Sequence, residues 1–202
     1  RDLHRITIGR YYHPTSIRKM KPIIIIDPGH GMGNSKPGRY DCGAESTGIT
    51  EAEIVMTWAN ELRDILRFRK VAVVRTRTDD KDPCSISARA RIAKAYNGTI
   101  MISLHCNAAN GKASGTETFY RGAENKSKAL DLNLAVCAGL LTVNRGVKTE
   151  NQSQHSTLAV MSFQPCFLIE LGFIDHAGDR AKMLNAEKRK ATCNAIANLL
   201  LE

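Results

Sequence analysis

The feature that most restricts the fold of this chain is a run of four isoleucines, Ile23 to Ile26, that ends at Asp27-Pro28-Gly29. A continuous β-branched run closed by turn residues is typical of a strand buried on both faces, and such strands occur in parallel sheets covered by helices. With 202 residues, the chain is long enough for one well-buried core but short for two full domains. The sequence therefore predicts a single α/β domain.

Strand-like and helix-like segments alternate along the rest of the chain, which predicts a twisted, mostly parallel central sheet flanked by helices on both faces. A capping box formed by Thr50 and Glu53 marks the start of the first long helix. Residues 21–202 form this domain, and the basic, aperiodic residues 1–20 are interpreted as an N-terminal extension or linker remnant. We predict further helices over 85–96, 125–141 and 185–201, and strands over 71–74, 99–104, 115–120 and 166–171, with a short strand candidate at 158–161.

The charge balance of the chain limits the choice of partner. A formal net charge of +9 favours a polyanion such as nucleic acid, an anionic membrane or an anionic cell-wall polymer. The basic residues form no recognisable nucleic-acid-binding motif, so we do not expect nucleic acid as the partner. The longest apolar run near the start is far too short to cross a membrane, so no stable membrane insertion is expected.

The six cysteines give no sign of a structural metal knuckle, because none of them stands in CxxC spacing. The chain has core enough without disulfides, so we expect free thiols and folding in a reducing compartment. The chain opens on Arg1 without a signal-peptide pattern. We interpret it as a fragment whose export signal could have been lost.

Polar residues stand at the ends of three predicted strands, where open α/β sheets place their sites. His30 follows the first strand, His105 follows the third and Glu170 ends the last, while Glu51 opens the first long helix. Two histidines and one carboxylate suit a catalytic zinc ion that keeps one position open. A second interpretation stays open from the residues alone. Histidines at strand ends are often ordinary core or loop residues, and Glu51 would then be a surface acid favoured by the helix dipole.

Glu170 is the candidate catalytic carboxylate because apolar residues surround it in the sequence. Burial should raise the pKa of such a carboxyl group, which suits a base that takes a proton from water at neutral pH. Asp27 and Asn107 flank the two histidines and are candidates to orient the imidazole rings. Among the other histidines, His155 is the best candidate for a substrate contact.

A series of motifs in one order resembles the zinc N-acetylmuramoyl-L-alanine amidases of the amidase-3 type. The resemblance covers roughly residues 22–201, and its order makes it far more specific than any single motif. The matching segments are Ile25-Ile26-Asp27-Pro28-Gly29-His30-Gly31, Asp41-Cys42-Gly43-Ala44, Gly48-Ile49-Thr50-Glu51, Thr76-Arg77-Thr78, Ser87 to Ala93, Ser103-Leu104-His105-Cys106-Asn107-Ala108, Arg145-Gly146-Val147-Lys148 and Pro165 to Phe173.

This resemblance implies that His30, Glu51 and His105 hold one zinc ion (Zn2+) and that Glu170 is the catalytic residue. Such enzymes use zinc-activated water to cleave the amide between the lactyl group of N-acetylmuramic acid and the L-alanine of the stem peptide. Peptidoglycan is then the expected partner and the bacterial cell envelope the expected place of action. We also expect a monomer, and we expect Arg89 to be a structural ion-pair residue. The substrate-binding residues are not identified.

Two departures from the family pattern favour a lytic enzyme of the endolysin type that is open at all times. The loop from Met32 to Tyr40 is longer than in many members. The roughly 64 residues between His105 and Glu170 leave little room for the inhibitory helix of divisome-regulated amidases. Such an enzyme would be made in the cytoplasm if it is a phage lysin and secreted if it is an autolysin. Two alternatives are a zinc peptidase acting on stem peptides and a non-catalytic cell-wall binding module.

Overall fold

The computed structural model describes residues 22–202, so the interpretation of residues 1–20 lies outside the described residues. The α-helices in this part of the chain are α1 (Glu51–Phe68), α2 (Ile86–Ala95), α3 (Lys126–Leu140), α4 (Ala177–Leu184) and α5 (Ala186–Leu199). The strands are β1 (Ile23–Pro28), β2 (Gly31–Met32), β3 (Tyr40–Asp41), β4 (Glu45–Ser46), β5 (Ile49–Thr50), β6 (Ala72–Arg75), β7 (Ile100–Asn107), β8 (Thr116–Tyr120), β9 (Asn144–Thr149) and β10 (Cys166–Phe173).

Six of these strands form one sheet in the order β6-β1-β7-β10-β8-β9. Strands β6, β1, β7 and β10 are parallel, β8 is antiparallel to β10, and β9 is parallel to β8. The carboxyl ends of β1, β7 and β10 therefore lie at the same edge as the amino ends of β8 and β9. The short strands form two small antiparallel pairs, β2-β3 and β4-β5. The predicted α/β fold with a mostly parallel sheet is confirmed.

Helices cover both faces of the sheet, as predicted. One cluster of apolar side chains fills the space between the sheet and the helices on each face. Helices α1, α3 and α5 pack on one face, and α2 packs on the other together with a 3-10 helix, Ala159–Ser162. The isoleucine run serves both clusters, because Ile24 and Ile26 point to the first face and Ile25 to the second. Burial of each of these isoleucine side chains contributes about 1.5–3 kcal/mol to the free energy of folding. The run is therefore the central strand that the sequence predicts.

One predicted element is wrong, and two of the longer elements were not predicted. The strand predicted over 158–161 is wrong, because this segment forms the 3-10 helix; a run of four apolar residues is too short to reveal its own period. Strand β9 is not visible in the sequence, since Gly146 and polar neighbours interrupt any alternation. Helix α4 is equally hidden, because Met183 is its one buried apolar residue.

The six cysteines are free thiols, and five of them are buried. Burial raises the pKa of the Cys106 and Cys166 thiols well above the ordinary value, so both behave as small apolar packing residues. None of the helices within residues 22–202 combines the length and the apolar character that crossing a membrane requires.

Two buried arginines fix the end of β1 and the turn after it. Arg89 on α2 donates to Asp27 Oδ1 at 2.6 Å and to the carbonyls of Pro28 and His30 at 2.8 and 2.6 Å. Arg77, which is 1% exposed, donates to two carbonyls of the same turn at 3.0 and 2.8 Å. Burial alone would raise the pKa of Asp27, but the Arg89 charge helps to lower it overall. The expected ion-pair role of Arg89 is confirmed.

Replacing Arg89 with methionine should destabilise the fold by about 3–5 kcal/mol, because the buried Asp27 carboxylate loses its counter-charge. The matched control is Arg91→Met on the same helix, since Arg91 is exposed and donates to the carbonyl of Ser87. Urea unfolding followed by circular dichroism measures both free energies of unfolding. Equal stability of the two variants would contradict the role given to the ion pair.

Candidate metal centre and catalytic site

The candidate site lies where the carboxyl ends of β1 and β7 meet the start of α1. His30 follows β1, His105 belongs to β7 and Glu51 is the first residue of α1. Ligand atoms of these three residues all lie within 4.8 Å of one another. Two glycines leave room for them, because a Cβ on Gly29 would lie 2.3 Å from the His105 ring and a Cβ on Gly43 would lie 2.6 Å from the Glu51 carboxylate. The structure thus brings together the three residues predicted as metal ligands.

Glu51 is the centre of this cluster and is only 3% exposed. Its Oε2 lies 3.1 Å from His30 Nε2, and its Oε1 lies 3.0 Å from His105 Nδ1. The backbone N–H groups of Ala44 and Cys106 donate to the same two oxygens at 3.1 and 2.8 Å. Burial alone would raise the pKa of Glu51, but the hydrogen bonds and charges of the two histidines lower it well below its ordinary value. The carboxylate is therefore ionised at neutral pH.

The ring of His30 is oriented by Asp41, whose Oδ1 lies 3.2 Å from His30 Nδ1. Asn34, Ser35 and the Gly43 N–H donate to the Asp41 carboxylate at 2.7, 2.8 and 2.9 Å. Burial opposes ionisation of Asp41, but these hydrogen bonds lower its pKa to about 2. A carboxylate on the outer nitrogen of a histidine fixes the ring and makes it a better metal ligand. Asp41 lies in a turn-rich loop, so reasoning from strand ends does not identify it.

Asp27 and Asn107 bind other partners, and this corrects the prediction that they orient the imidazole rings. Asp27 is fully buried and accepts hydrogen bonds from Arg89 and Ser103 at 2.6 and 2.7 Å. Asn107 Nδ2 donates to Oε1 of Glu117 at 3.1 Å. The physical reason is electrostatic. The Asp27 carboxylate pairs with the buried Arg89 guanidinium, and the Asn107 amide donates to the buried Glu117 carboxylate.

Glu170 lies on β10 in register with His105 on β7, and it lines the same cavity. Its Oε2 atom is buried and has no hydrogen-bond partner within residues 22–202. Burial raises the pKa of Glu170 well above its ordinary value, and the negative charges of Glu51 and Glu117 raise it further. A buried carboxyl group with a raised pKa beside a candidate metal centre is suited to accept a proton from water and release it again.

The donor set fits zinc better than calcium or magnesium, because imidazole nitrogen suits zinc whereas the harder cations take oxygen ligands. Two ligand atoms on a tetrahedral zinc ion with bonds of about 2.1 Å lie about 3.4 Å apart. One donor atom from each of the three residues lies within 4.8 Å of the other two, which is compatible with this spacing. His30, Glu51 and His105 could therefore hold a zinc ion after small side-chain movements.

A cavity of about 740 Å³ opens over these residues, a size typical of ligand sites. Its lining includes His155, the histidine proposed for substrate contact. It also includes Glu117, Arg145 and Lys148, which reasoning from strand ends does not identify. These three residues come from β8 and β9, whose amino ends meet the carboxyl end of β10. Arg145 and Lys148 belong to one of the motifs that carry the family resemblance, and this motif was the one sign in the sequence that they could be functional.

An α/β sheet that combines two histidines and a carboxylate with a buried, unpaired carboxyl group suits a metal-dependent hydrolase. Residues 24–202 match the Amidase_3 family, described as N-acetylmuramoyl-L-alanine amidase. Because this match spans most of the sequence, the chain belongs to the N-acetylmuramoyl-L-alanine amidase family. The family predicted from the ordered motifs is confirmed, and membership indicates hydrolysis of peptidoglycan.

Individual relatives agree with this assignment. The chain is 30% identical over 179 residues to the Bacillus subtilis protein named "Uncharacterized protein YqiI", with 87% of this chain and 81% of YqiI covered. It is 29% identical over 180 residues to the N-acetylmuramoyl-L-alanine amidase LytC of Bacillus subtilis, and it spans 34% of the length of LytC while 86% of this chain is covered. The solved structure of an N-acetylmuramoyl-L-alanine amidase from Clostridium difficile 630 is 27% identical, with a TM-score of 0.78 and coverage of 90% of this chain and 95% of that one.

We expect the purified protein to carry one zinc ion and His30→Ala to lose it, because two remaining protein ligands hold zinc weakly. His155→Ala is the matched control, since it removes a histidine from the same cavity but not from the donor set. Mass spectrometry of metal content after dialysis measures zinc per chain. Full zinc occupancy in His30→Ala would contradict the proposed ligands.

Asp41→Asn should weaken zinc affinity by about 10- to 100-fold, because the neutral amide no longer holds His30 in its orientation or supports its basicity. Asp64→Asn provides a control, since Asp64 is an exposed residue of α1 paired with Arg63. Competition with a coloured chelator measures the zinc dissociation constant of each variant. An Asp41→Asn variant that binds zinc as tightly as the Asp64→Asn variant would exclude the orienting role.

Proposed function

We propose that this chain is a zinc-dependent N-acetylmuramoyl-L-alanine amidase in which His30, Glu51 and His105 hold one zinc ion and Glu170 is the catalytic residue. The observation that carries this proposal is the buried carboxyl group of Glu170, whose Oε2 has no hydrogen-bond partner among residues 22–202, beside a donor set of two histidines and one carboxylate. The bond cleaved is the amide between the lactyl group of N-acetylmuramic acid and the L-alanine of the stem peptide, in agreement with the family description.

The donor set is held rigid before substrate binds. A zinc ion held by these residues would supply Lewis-acid polarisation of the substrate carbonyl and would lower the pKa of water. The N–H groups of Ala44 and Cys106 fix the two oxygens of Glu51, and Asp41 fixes the ring of His30. Because these contacts already exist in the protein, little reorganisation is needed during the reaction.

Glu170 moves the proton in this proposal. It takes a proton from the attacking water and delivers it to the nitrogen of L-alanine as the amide bond breaks. Its Oε2 makes no hydrogen bond to the described residues, so this atom is available as the acceptor. Burial and the charges of Glu51 and Glu117 raise its pKa, which makes the carboxylate a stronger proton acceptor than an exposed glutamate.

Peptidoglycan is the proposed partner, and the bacterial cell envelope is the proposed place of action. The net charge of +9 favours association with an anionic envelope polymer. We also propose a monomeric lytic enzyme of the endolysin type that is open at all times. In support, the one α-helix between His105 and Glu170 in the described part of the chain is α3, and it packs on the sheet face opposite to α2.

Glu170→Gln tests this proposal, because it removes the proton acceptor and keeps the size of the side chain. We expect zinc content to stay at one ion per chain while kcat falls by about 10²- to 10⁴-fold, the usual contribution of a general acid–base residue. Digests of purified peptidoglycan analysed by mass spectrometry measure both the rate and the bond that is cleaved. The expected products are free muramic lactyl groups and peptides that begin with L-alanine.

The matched control is Glu187→Gln, an exposed glutamate in the first turn of α5, and it should keep wild-type activity. Full activity in Glu170→Gln would contradict the catalytic role. Cleavage by the wild type within the stem peptide would instead support a zinc peptidase. Binding to peptidoglycan without any cleavage would support a non-catalytic module.

A further inference from the structure

Two basic side chains and one buried carboxylate form a cluster where β8 and β9 border the cavity. We call Arg145 and Lys148 the basic pair. Arg145 Nε and Lys148 Nζ donate to Oε2 of Glu117 at 2.8 and 2.7 Å, and Asn107 Nδ2 donates to Oε1 at 3.1 Å. Glu117 is 5% exposed, and all four residues line the cavity. In the proposed reaction the charge of Glu117 helps to raise the pKa of Glu170, but the basic pair has no role.

A β-bulge in β9 brings the basic pair to the same side of the sheet. Residues three apart in a regular strand point to opposite faces. The register between β8 and β9 shifts between Thr116 and Thr118, so that β9 contains one extra residue there. Gly146 lies between the two cations with φ +82, a backbone conformation that favours glycine. The bulge therefore directs both side chains to Glu117 and to the cavity.

The cluster carries more positive charge than Glu117 neutralises. Burial opposes ionisation of Glu117, but the hydrogen bonds from Lys148 and Arg145 lower its pKa, so one negative charge faces two positive ones. Lysine carries three N–H groups and arginine five, and one of each is used on Glu117. Arg145 Nη2 has no acceptor among residues 22–202, and the two side chains are 35% and 30% exposed. One cation suffices for Glu117, so the second charge is available to an anionic ligand.

Aromatic rings hold the basic pair in position. The Arg145 guanidinium lies 4.9 Å from the centre of the Phe173 ring, and the Lys148 ammonium lies 5.9 Å from the centre of the Phe119 ring. Side chains that are already placed lose less conformational entropy when a ligand binds. The pair is therefore arranged as a binding site for an anion, with donors that already point into the cavity.

The distance from the metal centre tells which part of a substrate would reach the basic pair. His105, Glu170 and Glu117 are register partners on the adjacent strands β7, β10 and β8. Neighbouring strands lie about 4.8 Å apart, so the Glu117 backbone is about 10 Å from that of His105. An extended peptide covers about 3.3–3.6 Å per residue, so this span corresponds to about three residues.

We propose that Arg145 and Lys148 bind a free carboxylate on the second or third residue of the stem peptide and thereby select acidic stem peptides over amidated ones. The inference rests on the proposed function, because the position of the scissile amide at the metal centre sets the distance. Charge-assisted hydrogen bonds from arginine or lysine to a carboxylate are about twice as strong as neutral ones. A carboxamide lacks that charge and offers one acceptor oxygen instead of two, so it binds less well.

Two soluble muramoyl peptides test the proposal, one with free carboxylates on the second and third residues and one with carboxamides there. We expect the wild type to prefer the acidic peptide by about 10- to 100-fold in kcat/KM, mainly through KM. Lys148→Met and Arg145→Gln should each lower the ratio of kcat/KM on the acidic peptide to kcat/KM on the amidated peptide. Lys148→Arg keeps the charge and should retain the preference.

The control is Arg63→Gln on α1, which removes a positive charge outside the cavity and should change neither rate. Thermal unfolding and zinc content of each variant report whether its structure is intact. Equal rates of the wild type on both peptides would overturn the proposal. So would variants that slow both peptides equally, because the basic pair would then act only through Glu117. Cleavage of neither peptide by the wild type would overturn the proposed function, and this inference with it.

Discussion

The arrangement of the candidate metal site depends on the carboxylate of Glu51, which is buried at the start of helix α1. Glu51 is 3% exposed and ionised, so both of its oxygens need donors or positive charge. Two backbone N–H groups and the rings of His30 and His105 supply them. The glycines at 29 and 43 keep these groups close, because a side chain at either position would collide with the cluster. A cation with nitrogen and oxygen preference is the natural complement of this arrangement.

Three acidic side chains in or beside the candidate metal site have pKa values shifted in different directions, and their surroundings explain the difference. Histidine contacts lower the pKa of Glu51, and the basic pair lowers the pKa of Glu117. The Oε2 atom of Glu170 has no hydrogen-bond partner in the described part of the chain, and the charges of Glu51 and Glu117 add to burial in raising the pKa of Glu170. Environments that separate the pKa values of nearby carboxyl groups assign their roles. In the proposed mechanism these roles are metal ligand for Glu51, anchor of the basic pair for Glu117 and proton carrier for Glu170.

Residues at the carboxyl ends of parallel strands could be predicted from the sequence, because apolar runs mark the strands and the chain direction marks the edge. His30, His105 and Glu170 belong to this class, and the ordered family motifs added Glu51. Contacts that depend on loops or antiparallel strands could not be predicted in this way. Asp41 reaches His30 across a turn, whereas Arg145 and Lys148 reach the cavity from β9 through a bulge. The role predicted for Asp27 was wrong because its carboxylate forms an ion pair with Arg89, which is distant in the sequence.

Anomalous X-ray diffraction on either side of the zinc absorption edge tests the central claim most directly. Crystals of the wild-type protein grown without added metal are the appropriate sample. We predict one zinc peak within bonding distance of His30, Glu51 and His105, with the Glu170 carboxyl group outside bonding distance. A crystal without zinc at these residues, or one in which Glu170 ligates the metal, would contradict the roles given to these four side chains.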